Sequence, residues 1–206
     1  MGELTLPSFP SPPQLPVSPR LGKMLLWAVL FRCLDPVLTV ACALSYRPPF
    51  AMPMHSGEKR AADQARLALA RGWRSDHLAL LGAYAGFHEA RRRGGGAPGS
   101  AAEFAFCRDN FLSPPALNMV TALREQMVSE LVESGALAAV EGAGGGSGGG
   151  SGGRRGGGRG GASSGRGSDL LTAASVNARS MSLVSCVLAA GLYPQARLCS
   201  ATSCFV

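Results

Sequence analysis

Helical periodicity, interrupted by residues that start or stop helices, recurs along most of this 206-residue sequence. The clearest example follows Ser113-Pro114, where apolar residues recur every three or four positions. These residues are Leu117, Val120, Leu123, Met127 and Leu131. No segment shows the strict alternation of apolar and polar residues that is typical of a half-buried strand. The pattern therefore predicts an all-α fold, in which about seven helices with short links pack as a bundle.

Capping residues, glycines and prolines set the expected ends of these helices. The predicted helices span residues 21–34, about 36–45, 58–71, 76–93, about 101–110, 114 to about 134, and about 170–190. Asp35 is predicted to cap the second helix, because Pro36 then occupies the first helical position, where its missing N–H costs nothing. Ser75-Asp76 can cap the fourth helix, and Ser100 with Glu103 has the spacing of a capping box.

Two segments of biased composition divide the chain. Residues 1–19 are Pro-rich and are predicted to form an extended arm. Residues 142–168 contain 16 glycines among 27 residues and are predicted to be a disordered Gly/Arg/Ser-rich insert. The helical bundle is therefore expected in residues 20–141 and in a C-terminal part, 169–194, which is followed by a tail of residues 195–206.

The most apolar stretch, Leu21–Leu44, is not expected to cross a membrane. Arg32 and Asp35-Pro36 divide it into two runs of about eight residues, whereas a membrane-spanning helix needs about 20. At the start of the chain, Glu3 and several prolines stand where a secretory signal would have a positive charge and an apolar core. The six cysteines form no C-x-x-C pair, which favours reduced thiols over disulfides and an intracellular location, nuclear or cytoplasmic.

Sequence patterns that carry catalysis or bind phosphates and metals are absent from the chain. It has no G-x-x-x-x-G-K-[ST] loop, no D-E-A-H box, no G-x-S-x-G elbow and no H-E-x-x-H helix. His77 and His88 are eleven positions apart, which is too far for one metal ion. Asp76 and His77 are neighbours on a predicted helix and are expected to point to different faces. We therefore predict no catalytic residue, no cofactor-binding residue and no metal ligand in this sequence.

Four arginines in the Gly-rich insert are candidates for RNA binding. The formal net charge is +7, and Arg154, Arg155, Arg159 and Arg166 lie in this insert, which contains no acidic residue. Arg–Gly segments bind single-stranded RNA through guanidinium stacking and phosphate pairing. A passive flexible linker explains the same composition, and both interpretations stay open.

Arg91, Arg92 and Arg93 form a second basic group, at the predicted end of the fourth helix. Positive side chains at that end stabilise the helix dipole, so a solvated helix end is the simpler interpretation. A contact with the phosphates of RNA is the alternative. The three residues are therefore kept as candidate RNA ligands.

Five stretches of the sequence, taken in order, resemble a known protein family. They are Leu15–Leu25, Cys33–Thr39, Ser75–Leu80, Cys107–Ser113 and Ala189–Pro194. Together they span residues 15–194 and resemble the helicase-associated, ratchet-like domain of the DEAH/DExH-box ATP-dependent RNA helicases. The motif positions with an expected structural role are Asp35, Pro36, Ser75, Asp76, His77, Asn110, Phe111, Leu112, Gly191, Tyr193 and Pro194.

The resemblance implies a helical bundle that packs on two RecA-like motor domains in cis and helps to form the channel for single-stranded RNA. ATP and Mg²⁺ belong to the motor of the parent family, so the resemblance assigns no cofactor to this chain and implies that it is inactive alone. Glu3-Leu4-Thr5 resembles the end of the winged-helix segment that precedes this domain in the family, and no OB-fold segment follows Pro194. Both departures imply a truncated chain or a mis-joined gene model. The alternative is a stand-alone RNA-binding or adaptor protein that uses its Arg–Gly segment.

Overall fold

The computed structural model describes residues 17–137 and 163–193 of the chain. Over these ranges the chain forms eight α-helices and no β-strand, which confirms the predicted all-α fold. The helices are α1 (Pro19–Leu30), α2 (Leu34–Ser45), α3 (Ser56–Leu69), α4 (Asp76–Arg93), α5 (Ala101–Asp109), α6 (Pro114–Glu133), α7 (Ser163–Ala173) and α8 (Met181–Leu192).

The main hydrophobic core forms where α1, α2 and α8 pack together, and α4, α6 and α7 enclose α2 from the other sides. Every side chain of α2 from Pro36 to Ala43 is buried, as expected for a helix in the centre of a bundle. Helices α1 and α8 approach so closely that a Cβ atom at Gly191 would lie 2.5 Å from Cβ of Met24. The motif glycine therefore permits the contact between two helix backbones.

A second, smaller core lies between α4, α5 and α6 and is bounded by the turn that ends α5. Its buried side chains are Ala83, Phe87, Cys107, Leu112 and Leu117. Asn110 Nδ2 donates to the carbonyl oxygen of Phe106 at 2.9 Å, and Phe111 then adopts a left-handed backbone conformation with φ of 53°. This turn directs Leu112 into an isolated antiparallel bridge with Phe50. Two backbone hydrogen bonds of 2.8 Å between residues 49–51 and 111–113 flank the bridge.

The sequence pattern predicted the starts of α4, α5 and α6 correctly. At α5, Ser100 Oγ accepts a hydrogen bond from the N–H of Glu103 at 3.3 Å. The carboxylate of Glu103 accepts from the N–H of Gly99 at 3.2 Å instead of from Ser100, so only half of the expected capping box forms. At α4, Ser75 occupies the N-cap position, but its side chain makes no capping hydrogen bond.

The prediction that Asp35 caps the second helix is wrong. Helix α2 begins at Leu34, so Asp35 and Pro36 both lie in its first turn. The N–H groups of Leu34 and Asp35 donate to the carbonyl oxygen of Ala174 and to Ser175 Oγ, both at 3.0 Å. The cap is therefore supplied by the turn after α7, and Ser175 lies 140 residues away from Asp35 in the sequence.

The C-terminal helical part consists of two helices, whereas a single helix over residues 170–190 was predicted. Helix α7 begins at Ser163, inside the segment 142–168, and ends at Ala173. The turn that separates α7 from α8 is bound to the junction of α1 and α2, since the N–H of Asn177 donates to the carbonyl oxygen of Arg32 at 2.8 Å. Residues 1–16, 138–162 and 194–206, which hold most of the predicted arm, most of the insert and the tail, lie outside the described residues.

Candidate nucleic-acid interface

A cleft of about 520 Å³ lies between the start of α2, the end of α3 and the first half of α4, and the turn between α7 and α8 closes its fourth side. In this α2–α4 cleft the walls are mostly apolar, and Asp35, Thr39 and Tyr84 supply polar groups. A second cleft, of about 510 Å³, lies beside α5. Its charged residues Glu103 and Arg108 already form ion pairs within the chain. The α2–α4 cleft is therefore the better candidate for an external ligand.

Arg124 of α6 contacts three residues that line the α2–α4 cleft: Asp35, Thr39 and Tyr84. Its Nη2 donates to Asp35 Oδ1 at 2.5 Å, and its Nη1 donates to the carbonyl oxygen of Asp35 at 2.8 Å and to the hydroxyl of Thr39. Its guanidinium carbon lies 5.3 Å from the centre of the Tyr84 ring, within cation–π range. Because the Arg124 side chain is only 12% exposed, it fixes Asp35 in place and balances its charge.

The rim of the α2–α4 cleft carries two arginines and a tryptophan. Arg71 and Arg179 are exposed, and Trp73 is 44% exposed. Arg71 and Gly72 both have left-handed backbone conformations, with φ of 50° and 84°. That conformation costs a non-glycine residue roughly 1–2 kcal/mol. Within residues 17–137 and 163–193, neither rim arginine forms an ion pair.

The turn that carries Trp73 is held against α4 by backbone contacts. The N–H of Trp73 donates to the carbonyl oxygen of Ala70 at 3.0 Å. A Cβ atom at Gly82 would lie 2.0 Å from the carbonyl oxygen of Leu69. The end of α3 can therefore lie directly on α4 only because residue 82 has no side chain. These contacts fix the backbone of the turn, while Trp73 stays 44% exposed.

The three arginines at the end of α4 occupy different environments. Arg91 points inward: its Nε donates to Glu103 Oε2 at 2.9 Å and its Nη2 to Oε1 at 3.2 Å, with 15% of the side chain exposed. Arg92 and Arg93 both pair with Glu89, at 2.8 and 2.9 Å, and are 77% and 74% exposed. A ligand from solvent can therefore reach Arg92 and Arg93 more readily than Arg91.

The arginines of the Gly-rich insert are largely beyond the described ranges. Arg154, Arg155 and Arg159 lie outside the described residues, and so does the side chain of Arg166, whose backbone belongs to α7. Their role as RNA ligands stays a prediction that rests on the sequence.

The Ser75-Asp76-His77 motif begins α4, next to the α2–α4 cleft. Asp76 forms an ion pair of 3.8 Å with Arg66 of α3 and is 73% exposed, so the pair contributes at most about 1 kcal/mol. Burial lowers the pKa of His77, and the negative charge of Asp76 opposes this effect. The contacts of this motif are structural, because they join the start of α4 to α3.

The last motif, at the end of α8, also has a structural contact. Gly191 is buried against Met24 of α1. Tyr193 follows α8 and is 73% exposed, while Pro194 lies outside the described residues. The glycine of this motif therefore has a packing role in the bundle, and the tyrosine remains available to solvent.

The rim residues Arg71, Trp73 and Arg179 were not among the candidate ligands taken from the sequence. The sequence contained part of the pattern that indicates an RNA contact. In Arg71-Gly72-Trp73-Arg74 an aromatic residue lies between arginines, just after α3. Arg179 reaches the same cleft from the turn between α7 and α8, which follows the Gly-rich insert. No local pattern could have connected these two segments.

Metal-binding clusters and membrane-spanning helices are both absent from residues 17–137 and 163–193. No group of three His, Cys, Asp or Glu side chains in these ranges is placed to hold a metal ion. No helix of the same part of the chain combines the length and apolar content needed to span a membrane. Burial raises the pKa of both Cys42 and Cys107 to about 11, so these free thiols are protonated at neutral pH.

Comparisons with known proteins identify the domain. Residues 18–80, from the start of α1 into α4, match the family model described as "Helicase associated domain (HA2), ratchet-like". DExH-box ATP-dependent RNA helicase DExH6 of Arabidopsis thaliana is 37% identical over 190 residues, which cover 91% of this chain and 12% of that helicase. This chain carries a helicase-associated domain of the DEAH/DExH-box helicases. The resemblance found in the sequence is thereby confirmed.

Two further relatives of this helicase-associated domain show the same relationship. ATP-dependent DNA/RNA helicase DHX36 of Homo sapiens is 41% identical over 126 residues, which cover 61% of this chain and 12% of the relative. DExH-box ATP-dependent RNA helicase DExH1 of Arabidopsis thaliana is 44% identical over 121 residues, which cover 59% of this chain and 11% of the relative. The matched part of the chain thus spans 11–12% of the length of these relatives.

Proposed function

We propose that this chain is an accessory region of a DExH-box ATP-dependent RNA helicase, in which it guides single-stranded RNA and couples the strand to the motor. The observation that carries the proposal is the helicase-associated domain of residues 18–80, together with relatives that are themselves ATP-dependent helicases. In this arrangement the chain contacts RNA, and RecA-like motor domains in cis bind ATP and Mg²⁺. The location that follows from this role is intracellular.

The distribution of charge supports an electrostatic contact with RNA. The chain has a formal net charge of +7, and an excess of positive charge attracts the phosphate backbone independently of sequence. Four of the basic residues are the arginines of the Gly-rich insert. Arg71 and Arg179 at the rim of the α2–α4 cleft add two exposed cations that no carboxylate of the described ranges neutralises.

RNA binding is tested by fluorescence anisotropy of a labelled oligouridylate with the purified 206-residue chain. We expect weak binding that tolerates changes of RNA sequence. The four insert arginines should contribute about −3 to the log–log salt slope if each neutralises one phosphate. Replacement of Arg154, Arg155, Arg159 and Arg166 by Gln is expected to flatten the slope. The control replaces Arg92 and Arg93 by Gln, which removes exposed cations of another region. If the quadruple variant keeps the parent slope and the control has a shallower one, the RNA contact lies at the end of α4.

Coupling to a motor is tested in a chimera of DExH6 in which this chain replaces the matched segment of that helicase. We expect the chimera to hydrolyse ATP and to be stimulated by RNA, whereas DExH6 without the segment should lose the stimulation. The isolated chain should hydrolyse no ATP, because its sequence provides no phosphate-binding loop. RNA binding by the isolated chain without any stimulation of the chimera would instead favour a stand-alone RNA-binding adaptor.

A further inference from the structure

We propose that the α2–α4 cleft is a binding site for one nucleotide unit of single-stranded RNA, whose base stacks on Trp73 and whose flanking phosphates pair with Arg71 and Arg179. This inference rests on the proposed function and assigns the contact to named residues. It requires an accessible aromatic surface, unneutralised cations beside it and a fixed backbone.

The aromatic surface lies at the mouth of a cavity of suitable size. The volume of about 520 Å³ falls within the range of roughly 300–1,000 Å³ that is usual for small-ligand sites. Trp73 lines this cleft and is 44% exposed. A single exposed tryptophan would need no explanation by itself. It becomes informative because the same rim carries cations.

The charge at the rim suits a phosphate backbone. Arg71 lies two residues before Trp73, and Arg179 reaches the cleft from the turn between α7 and α8. The carboxylate of Asp35 also faces the cleft, but its charge is balanced by the hydrogen bond from Arg124. A guanidinium group can pair with two oxygens of one phosphate. The net charge offered to a ligand at this rim is therefore positive.

The backbone that carries Arg71 and Trp73 is held against α4 before a ligand arrives. The left-handed conformations of Arg71 and Gly72 turn the chain sharply at the end of α3. Contact of the Leu69 carbonyl with Gly82 then fixes this turn on α4. Strained non-glycine residues persist where the surrounding structure enforces them, often at binding sites. A fixed platform loses less entropy on binding than a mobile loop.

A single strand of RNA fits this combination better than a duplex or an acidic peptide. Base stacking requires an unpaired base, and a peptide carboxylate would use the arginines but leave the indole without a partner. Because every base has an aromatic face, stacking on Trp73 should tolerate any sequence. The site therefore contributes affinity for single-stranded RNA and holds the strand in place.

The two tryptophans of the chain, Trp27 and Trp73, allow the contact to be observed directly. In a Trp27→Phe variant Trp73 is the remaining tryptophan, and we expect titration with oligouridylate to quench its fluorescence. The matched control is Trp73→Phe, in which Trp27 reports and should show no quenching. An oligonucleotide of the same charge without bases should bind more weakly and leave the fluorescence of Trp73 unchanged.

Affinity measurements with the full chain complete the test. Trp73→Ala should weaken binding about tenfold, whereas Trp73→Phe should retain most of it. Arg71→Gln with Arg179→Gln should reduce the magnitude of the log–log salt slope by about 1.4, the value for two phosphates of a single strand. The control, Arg20→Gln with Arg60→Gln, removes the same charge from exposed positions outside the cleft, and circular dichroism verifies folding.

The outcomes separate this inference from the proposed function. One outcome is that RNA binds without quenching Trp73 and without depending on the rim arginines more than on the control pair. That result would overturn the cleft assignment but leave the proposed function standing. Absence of any RNA binding would overturn both. Quenching by an acidic peptide of equal charge, but not by RNA, would reassign the cleft to a protein partner.

Discussion

Glu103 and Arg91 form a buried bidentate ion pair that joins the first turn of α5 to the end of α4. Arg91 Nε lies 2.9 Å from Glu103 Oε2, and the Glu103 side chain is 1% exposed. Arg91 Nη2 also donates to Asn118 Oδ1 of α6 at 2.5 Å. The Arg91 guanidinium lies 4.8 Å from the centre of the Phe87 ring. One arginine of the predicted RNA-binding group therefore connects three helices.

Removing one partner of this pair should destabilise the fold strongly. Arg91→Met leaves the buried Glu103 carboxylate without its cation and should cost about 3 kcal/mol of unfolding free energy. Urea denaturation measures this loss. A double variant that also carries Glu103→Gln should lose clearly less than the sum of the single variants, since neither charge then remains unpaired. Strictly additive losses would show that the two side chains do not interact.

Ser175, and not Asp35, should act as the cap of α2. Ser175→Ala removes the acceptor for the N–H of Asp35 and should lower the unfolding free energy by about 0.5–2 kcal/mol. The control is Ser182→Ala, at an exposed position of α8, for which we expect little change. The comparison is made by thermal and urea denaturation. Equal stability of the two variants would exclude the capping role of the Ser175 hydroxyl.

Gly191 and Gly22 should respond in opposite directions to the same substitution. Gly191→Ala would place a Cβ atom 2.5 Å from Cβ of Met24, and the resulting overpacking should cost about 1–3 kcal/mol. A Cβ atom at Gly22 of α1 would meet no atom within 4 Å. Gly22→Ala should therefore stabilise the helix by about 0.5–1 kcal/mol. Melting temperatures of the two variants decide the prediction, which fails if Gly191→Ala melts at or above the parent.

Acid should destabilise the fold in part through His88. Burial lowers its pKa below the ordinary 6.5, with further lowering by Arg91 and Arg124 and opposition from Glu103 and Glu125. The unfolded chain then binds a proton more readily than the folded chain, so unfolding free energy should fall as pH decreases through about 6.5 and level off below the folded pKa.

The test is the slope of unfolding free energy against pH between about 7.5 and 5.5. His88→Gln, which can keep a hydrogen bond to Thr121, should have a shallower slope than the parent. His55→Gln, which removes an imidazole from an exposed position, is the matched control. The hydrogen bond from Arg91 lowers the pKa of Glu103 below 4.5, so Glu103 does not titrate in this window. Identical slopes in all three proteins would exclude His88 as the cause.

Local signals in the sequence were sufficient to predict most helices. Helix α6 has the expected start because a proline follows Ser113, and its apolar stripe from Leu117 to Leu131 packs into the two cores. The assignment of Asp35 as a cap failed for a physical reason. An Asp-Pro pair favours a helix start locally, but contacts with Ser175 and Arg124, distant in sequence, place that start one residue before Asp35.

The α2–α4 cleft illustrates what local patterns cannot show. Trp73 looks like an ordinary residue of a helix link, and its position follows from the contact between Leu69 and Gly82 of another helix. The rim receives Arg179 from a segment beyond the Gly-rich insert. Such a site arises from tertiary packing, so its members share no spacing in the sequence.

The bridge between Phe50 and Leu112 closes a loop of the chain that contains α3, α4 and α5. After α2 the chain forms α3, α4 and α5. Backbone hydrogen bonds between residues 49–51 and 111–113 then hold the two ends of this segment together. The distance from α2 to α6 is therefore independent of the length of chain enclosed. Related sequences could gain or lose residues in the links between α3, α4 and α5 and so reshape the cleft rim, while the spacing of the other helices stays constant.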